Sequence, residues 1–298
     1  MSWKDVLRKS TPQFLLDWNR RRKKRKRNAV LAEQKKNLKG ISTADIIADL
    51  QRIGIEKGDT VLVHSSLSRI GYLEKGAKTF VDALKQQLGE EGTILMPTSP
   101  NPVYQLDYIQ QMSHFDVLHS PSKTGKITEY FRKLPDTSRS LHPTEPVSAW
   151  GKNADYFVKD HFNQLTPYNQ DSPFYRISEA RGKILYVGVT LSMAGTNLHT
   201  LEDAVDFKFP VYHPDIFECK VVDEKGVAHT VKTKVHDPTW SKKRKCDELI
   251  PMFIEQKVMK REQIGEAETL VVDAKGFFEV MLDQYQKHGV TMYTPHGS

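Results

Sequence analysis

Cysteine is scarce in this chain. Cys219 and Cys246 are the two present, in dissimilar surroundings and with no Cys-X-X-Cys pairing. That excludes a disulfide framework and a thiolate-rich zinc site, and it suits a reducing cytoplasm. No uninterrupted apolar run approaches the ~18 residues that a membrane span requires, so a transmembrane protein is excluded. The opening stretch holds only the run Phe14, Leu15, Leu16 where a secretory signal has an apolar core of ~7 to 15 residues, and export is not expected. Also missing are G-x-G-x-x-G and G-x-x-x-x-G-K-[ST], which argues against a Rossmann dinucleotide fold and a P-loop nucleotidase. There is no G-x-S-x-G elbow, since the serines after the first strand read His64-Ser65-Ser66-Leu67-Ser68, and no H-E-x-x-H; no metal is expected.

What is abundant is positive charge, and it is localised. Residues 1–40 carry 14 Lys and Arg against 3 Asp and Glu, leaving 30 against 34 for residues 41–298. The protein is a mildly acidic body with a basic arm, so its net charge of +7 does not describe a nucleic-acid-binding surface across the fold. The arm contains the unbroken run Arg20 to Arg27, preceded by Trp3, Leu7, Phe14, Leu15 and Trp18. A helical arm lying on an anionic membrane is expected, because the apolar residues supply what an interfacial helix inserts. The alternatives are packing on a neighbouring subunit in a homo-oligomer, or a solvated tail.

Two regions are thus expected, the arm at 1–40 and a folded domain at 41–298. Ser42 offers a hydroxyl N-cap to a helix with Ile46, Ile47, Leu50 and Ile53 at helical spacing. Gly58-Asp59 turns into the buried-strand run Thr60 to His64, followed by the small polar pair Ser65-Ser66, the place where α/β sheets commonly bind ligands. The grammar repeats with a helix over 79–88, a strand over 93–96 and a strand over 184–189, which argues for a layered α/β domain. Residues 99–123 and 138–173 read as long loops and candidate binding walls. Residues 217–235 read as a hairpin around Glu224-Lys225-Gly226, and residues 245–258 and 274–287 as closing helices.

The window Gly195 to Ala204 carries the most chemistry. His199 and Glu202 fall at i and i+3 on one helical face. A carboxylate accepting from one imidazole nitrogen fixes the tautomer and leaves the other nitrogen to take a proton, which is the equipment of a general base. A capped helix with a satisfied histidine is the plainer alternative.

Four windows in order resemble the aminoglycoside 3-N-acetyltransferase family: His64 to Ser68 with Ile70-Gly71; Gly92 to Thr98; Ser120 to Arg132 running into Arg139-Ser140-Leu141-His142-Pro143; and Asn197 to Glu202. The late stretch Gly265 to Ala274 looks like the same family's C-terminal strand and helix. The resemblance implies a three-layer α/β/α fold with a mixed central sheet, and an N-acyltransferase using acetyl-CoA or another acyl-CoA. It implies His199 as general base and Glu202 as the acid that orients it. His64, Ser65, Ser66 and Leu67 would meet the cofactor, with Thr98, Arg139, Ser140 and His142 lining its cleft; for Arg139 and His142, structural roles remain alternatives.

One departure bears on the acceptor. Lys242-Lys243-Arg244-Lys245 makes a poor host for a polycationic drug, because like charges close together cost binding energy. The expected substrate is therefore an anionic amino sugar, nucleotide- or lipid-linked, on the way to a surface polysaccharide. The alternative is an aminoglycoside acetyltransferase conferring resistance. A nucleic-acid-binding module on a degenerate enzyme fold is the competing class, which the intact His199 and Glu202 pair argues against.

Overall fold

The computed structural model describes Arg22, Arg25, Lys26 and Ala29 of the arm, where the backbone is helical, together with residues 40–101 and 104–297. The expectations of membrane or subunit contact rest mainly on residues outside this set, the aromatic and apolar ones of the arm among them. Among the described residues, no helix is long and apolar enough to cross a membrane.

The body opens on a capping box. The Ser42 hydroxyl accepts from the Asp45 amide at 3.2 Å, and the Asp45 carboxylate accepts from the Ser42 amide at 2.8 Å. Two otherwise unpaired N–H groups of the helix Thr43–Arg52 are thereby satisfied. Among the described residues the strands are β1 (Thr60–Ser65), β2 (Thr93–Pro97), β3 (Phe115–Asp116), β4 (Ser138–Arg139), β5 (Val147–Gly151), β6 (Lys183–Val187), β7 (Phe217–Val222), β8 (Ala228–Thr233), β9 (Met259–Ile264) and β10 (Ala267–Asp273). Seven of them form one sheet in the order β4-β5-β2-β1-β6-β10-β9. β1 runs parallel to β2 and β6, and the outer pairings are antiparallel.

Successive side chains of a strand point to opposite faces, which sorts the buried residues into two cores. Leu62, Leu95, Ile184 and Tyr186 pack with Phe157, Phe174 and Phe277, the last from the helix Ala274–His288. Val61, Val63, Ile94, Met96 and Leu185 pack with Ile46, Leu50, Phe80 and Leu84 from the helices Thr43–Arg52 and Ala77–Leu88. The result is a three-layer α/β/α fold with a mixed sheet, as the resemblance implied.

Residues 138–173 are not a loop throughout: they hold β4, β5 and the helix Ala154–Val158. β5 reads Val-Ser-Ala-Trp-Gly, too short and mixed to announce a strand, and it is the pairing with β2 that makes it one. Residues 99–123 likewise include the helix Gln105–Gln111 and β3. The closing helix expected over 245–258 is a 3₁₀ turn, Cys246–Leu249, continued by the helix Ile250–Glu255, after which the chain returns as β9. The hairpin is present as β7 and β8, joined with β3 in a separate three-stranded sheet around Phe115, Val117, Val221 and Val231.

Gly151 ends β5 with φ +105°, and a Cβ there would lie 2.0 Å from the Gly92 carbonyl oxygen. Backbone strain and a clash with main chain that cannot yield combine, so Gly151→Ala is expected to cost about 3 kcal/mol or more. Urea unfolding measures this, and an unchanged midpoint would refute it.

The fold places a crevice at one edge. The chain leaves β1 for β2 on one side, while β6 later arrives on the other. The carboxyl ends of three parallel strands therefore diverge at β1, where open α/β sheets hold ligands.

Candidate active site

A cleft of about 1070 Å³ opens at that edge, lined among others by His64, Ser65, Ser66 and Leu67 from the end of β1, by Lys123 to Lys126, by Met193 to Thr196, and by Glu145. Lys123 and Lys126 are exposed cations. His64 is nearly buried, stacked on Tyr186 with ring centroids 4.9 Å apart, and its Nε2 lies 3.3 Å from the Thr196 hydroxyl. Burial pushes this imidazole down to about 3, so it is a neutral group in the wall. The Ser65 hydroxyl is buried and bonded to no protein group among the described residues, and the residue lines the cleft.

Thr196 opens the 3₁₀ turn Thr196–His199, which runs straight into the helix Thr200–Ala204. This places His199 and Glu202 as the spacing implied: His199 Nδ1 and a Glu202 carboxylate oxygen are 2.9 Å apart, both side chains buried. The same oxygen lies 2.7 Å from His236 Nε2, and the other accepts from the Tyr293 hydroxyl at 2.7 Å. A carboxylate can only accept, so His199 carries its proton on Nδ1 and His236 carries one on Nε2. Nε2 of His199 is left as the basic atom. Burial lowers the proton affinity of His199, and the Glu202 charge opposes that, giving about 3. Burial alone would raise Glu202, but the two imidazoles hold it well below the usual carboxylate range.

His199, Glu202 and His236 are also the group of three potential metal ligands found among the described residues. Their separations are hydrogen-bond lengths, with two ring N–H groups aimed at one oxygen. That is the arrangement of donors around an acceptor, not of lone pairs around a cation.

Aromatic rings brace the base. Tyr168 lies 4.8 Å from the His199 ring and 5.5 Å from that of His236, and Tyr212 stacks on His236 at 4.8 Å. Gln105 ties the assembly to the cleft wall. Its amide nitrogen donates to Glu145 Oε1 at 2.8 Å and to the Tyr168 hydroxyl at 3.2 Å, and its oxygen accepts from the His236 amide at 2.9 Å.

Thr98, Arg139, Ser140 and His142, expected along the cofactor cleft, do not line it; they form the packed layer behind. Thr98 is buried, bonded to the Pro146 carbonyl and the Ser148 hydroxyl. Arg139 spends its donors on Thr98 and on the Val117 and Ser120 carbonyls, with its guanidinium over the Phe115 ring. The Ser140 hydroxyl meets His161 Nδ1 at 2.9 Å and accepts from the Val147 amide at 2.9 Å. His142 stacks on His161, centroids 4.6 Å apart, and its Nδ1 accepts from the Glu145 amide at 3.2 Å. The partners of these side chains are other protein groups.

Sequence reasoning missed His236, Tyr168, Tyr293 and Glu145. His236 stood in a stretch read for its lysines, and Tyr293 had no local signal at all. Glu145 follows the His142-Pro143-Thr144 turn, two residues beyond the window that carried the resemblance.

The family model described as aminoglycoside 3-N-acetyltransferase matches residues 62–286. A prophage-derived aminoglycoside N(3')-acetyltransferase-like protein of Bacillus subtilis (strain 168) is 31% identical over 179 residues, 55% of this chain and 65% of that protein. Across the first curated relatives the chain spans 60 to 65% of their length. The solved structure of AAC-IIIb with CoASH superposes with TM-score 0.70 at 25% identity, over 83% of this chain and 96% of that one. A mutant of AAC(3)-IVa in complex with a gentamicin gives TM-score 0.69 at 25% identity, over 83% and 88%.

Proposed function

Because the chain belongs to the aminoglycoside 3-N-acetyltransferase family, we propose that it is an N-acetyltransferase, using acetyl-CoA to acetylate a primary amine of a sugar-like acceptor. The observation that carries this is the buried His199 and Glu202 pair at 2.9 Å beside a cleft large enough for a CoA arm. Acetyl-CoA supplies the thioester: its carbonyl carbon forms the new C–N bond, the C–S bond breaks, and CoA leaves as the thiol. His199 Nε2 takes the proton that the nitrogen sheds and can return it to the sulfur, so the protein is unchanged at the end. Glu202 holds the imidazolium formed in between. Ser65 and Ser66 suit the amides of the pantetheine arm, and Lys123 and Lys126 suit its phosphates.

On the acceptor, the names of the relatives and the gentamicin complex support an aminoglycoside ahead of the polysaccharide precursor expected from the sequence. An anionic amino sugar stays as a second reading on one observation. Arg244 is half-buried, its Nη2 is buried and bonded to no protein group among the described residues, and it acts electrostatically on His199, Glu202 and Glu145. A guanidinium nitrogen buried short of partners favours an anion nearby.

Thiol release from acetyl-CoA, followed with aminoglycosides and with phosphorylated and nucleotide-linked amino sugars, separates the two. Turnover of aminoglycosides is the expected result. Turnover of the anionic sugars alone would move the second reading to first place, and no thiol release with any amine would remove the transferase reading.

A further inference from the structure

Glu145 is a carboxylate with 8% exposure on the wall of the cleft. Its Oε1 accepts from the Asn101 and Gln105 side-chain amides, each at 2.8 Å, and among the described residues no donor reaches Oε2 and no Lys, Arg or His forms an ion pair with it. The side chain is fixed from behind: the Glu145 amide is held by His142, and Asn101 also donates to the Thr144 carbonyl at 2.8 Å. This buried carboxylate has one oxygen satisfied by neutral amides, no donor on the other among the described residues, and the Arg244 guanidinium acting on it only from beyond ion-pair range, so it has no direct counter-charge. Through Gln105 it is joined to Tyr168, whose ring packs on His199, so Glu145 links the cleft wall to the base.

We infer that Glu145 is the ammonium-binding group of the acceptor subsite, a specificity residue that holds the incoming amine while His199 takes its proton. The inference rests on the amine-acetylation reading above and deepens it, since either class of acceptor arrives as an ammonium ion. An ammonium acceptor loses two protons from nitrogen, one to solvent before attack and one to His199 as the C–N bond forms, the latter passing on to the departing sulfur; Glu145 keeps its charge and supplies attraction and direction. Burial pushes the empty carboxyl up to about 7, which fits a site that is completed by a cation. A neutral hydroxyl acceptor gains nothing from this group, so the subsite selects amines over alcohols.

The test is Glu145→Gln, which keeps an acceptor oxygen for Asn101 and Gln105 and removes only the charge. With sisomicin and with glucosamine 6-phosphate as probes, KM for the amine is expected to rise at least tenfold. KM for acetyl-CoA and the melting temperature should stay near those of the native enzyme, and kcat should fall less than kcat/KM. Calorimetric binding of the same two amines to the CoA-bound protein, which needs no turnover, should weaken to the same extent. A purely structural Glu145 would leave amine KM and amine binding unmoved, and that result overturns the inference while leaving the transferase reading intact. If the native protein binds an amine on its CoA complex and the substitution weakens it, yet no thiol is released, the inference stands and the transfer reading falls. Failure of the native CoA complex to bind either amine overturns the inference directly.

Discussion

His199→Ala is expected to lower kcat for thiol release by ~10² to 10⁴, the usual worth of a positioned general base. The fold should survive, because the Glu202 carboxylate keeps the His236 and Tyr293 donors and is not left as a bare buried charge. CoA binding should survive too, since His199 does not line the CoA-sized cleft, whose polar lining comes from Ser65, Ser66, Lys123 and Lys126. Stopped assays at saturating acetyl-CoA, with circular dichroism and calorimetric CoA binding as controls, give the three readouts. Near-native turnover by the folded variant would take His199 out of the mechanism.

Acid should unfold this protein steeply. His64, His161 and His199 are pushed by burial down to about 3, and burial also lowers His142 and His236. A group whose folded value is depressed contributes stability that is present above its unfolded value, here 6.5, and lost as the pH falls toward the folded value. Two buried acids work the other way: Glu145 is raised to about 7 and Asp203 to about 6, so the folded state holds their protons longer than the unfolded chain does. Five imidazoles set against two carboxyls leave unfolding with a net uptake of protons near pH 5.5, so stability falls as the pH falls. Domain stabilities are about 5 to 15 kcal/mol, so the loss between pH 6.5 and pH 4 is expected to be decisive. Urea unfolding at half-unit steps of pH measures it. A midpoint that stays level from pH 7 to pH 4 would show that these imidazoles are not held neutral.

The parts of the site that were legible in the sequence are those made by neighbours on one turn. His199 and Glu202 are three residues apart, and helical spacing alone brings them together. His236 and Tyr293 reach the same carboxylate from 34 and 91 residues away, and no periodicity encodes such a meeting. The central strands announced themselves because both of their faces are buried and their runs are continuously apolar, as in Val61-Leu62-Val63. β5 gave no such signal. Thr98, Arg139, Ser140 and His142 show the opposite limit: the windows containing them mark the family, but a matching motif does not say which side of the wall a side chain occupies. Only the spent donors of Arg139 and the stacking of His142 on His161 reveal that.

The Tyr293 hydroxyl on Glu202 also sets an order in time. Tyr293 follows every strand of the two sheets among the described residues, and the Lys245 amide is bonded to the Met292 carbonyl at 2.7 Å, so this late segment closes over the base after the strands have been made. On the ribosome, a nascent chain can pair β1, β2 and β6 and shape much of the cleft while its catalytic carboxylate still lacks one of three donors. The third donor to the Glu202 carboxylate is therefore in place only once synthesis has passed residue 293.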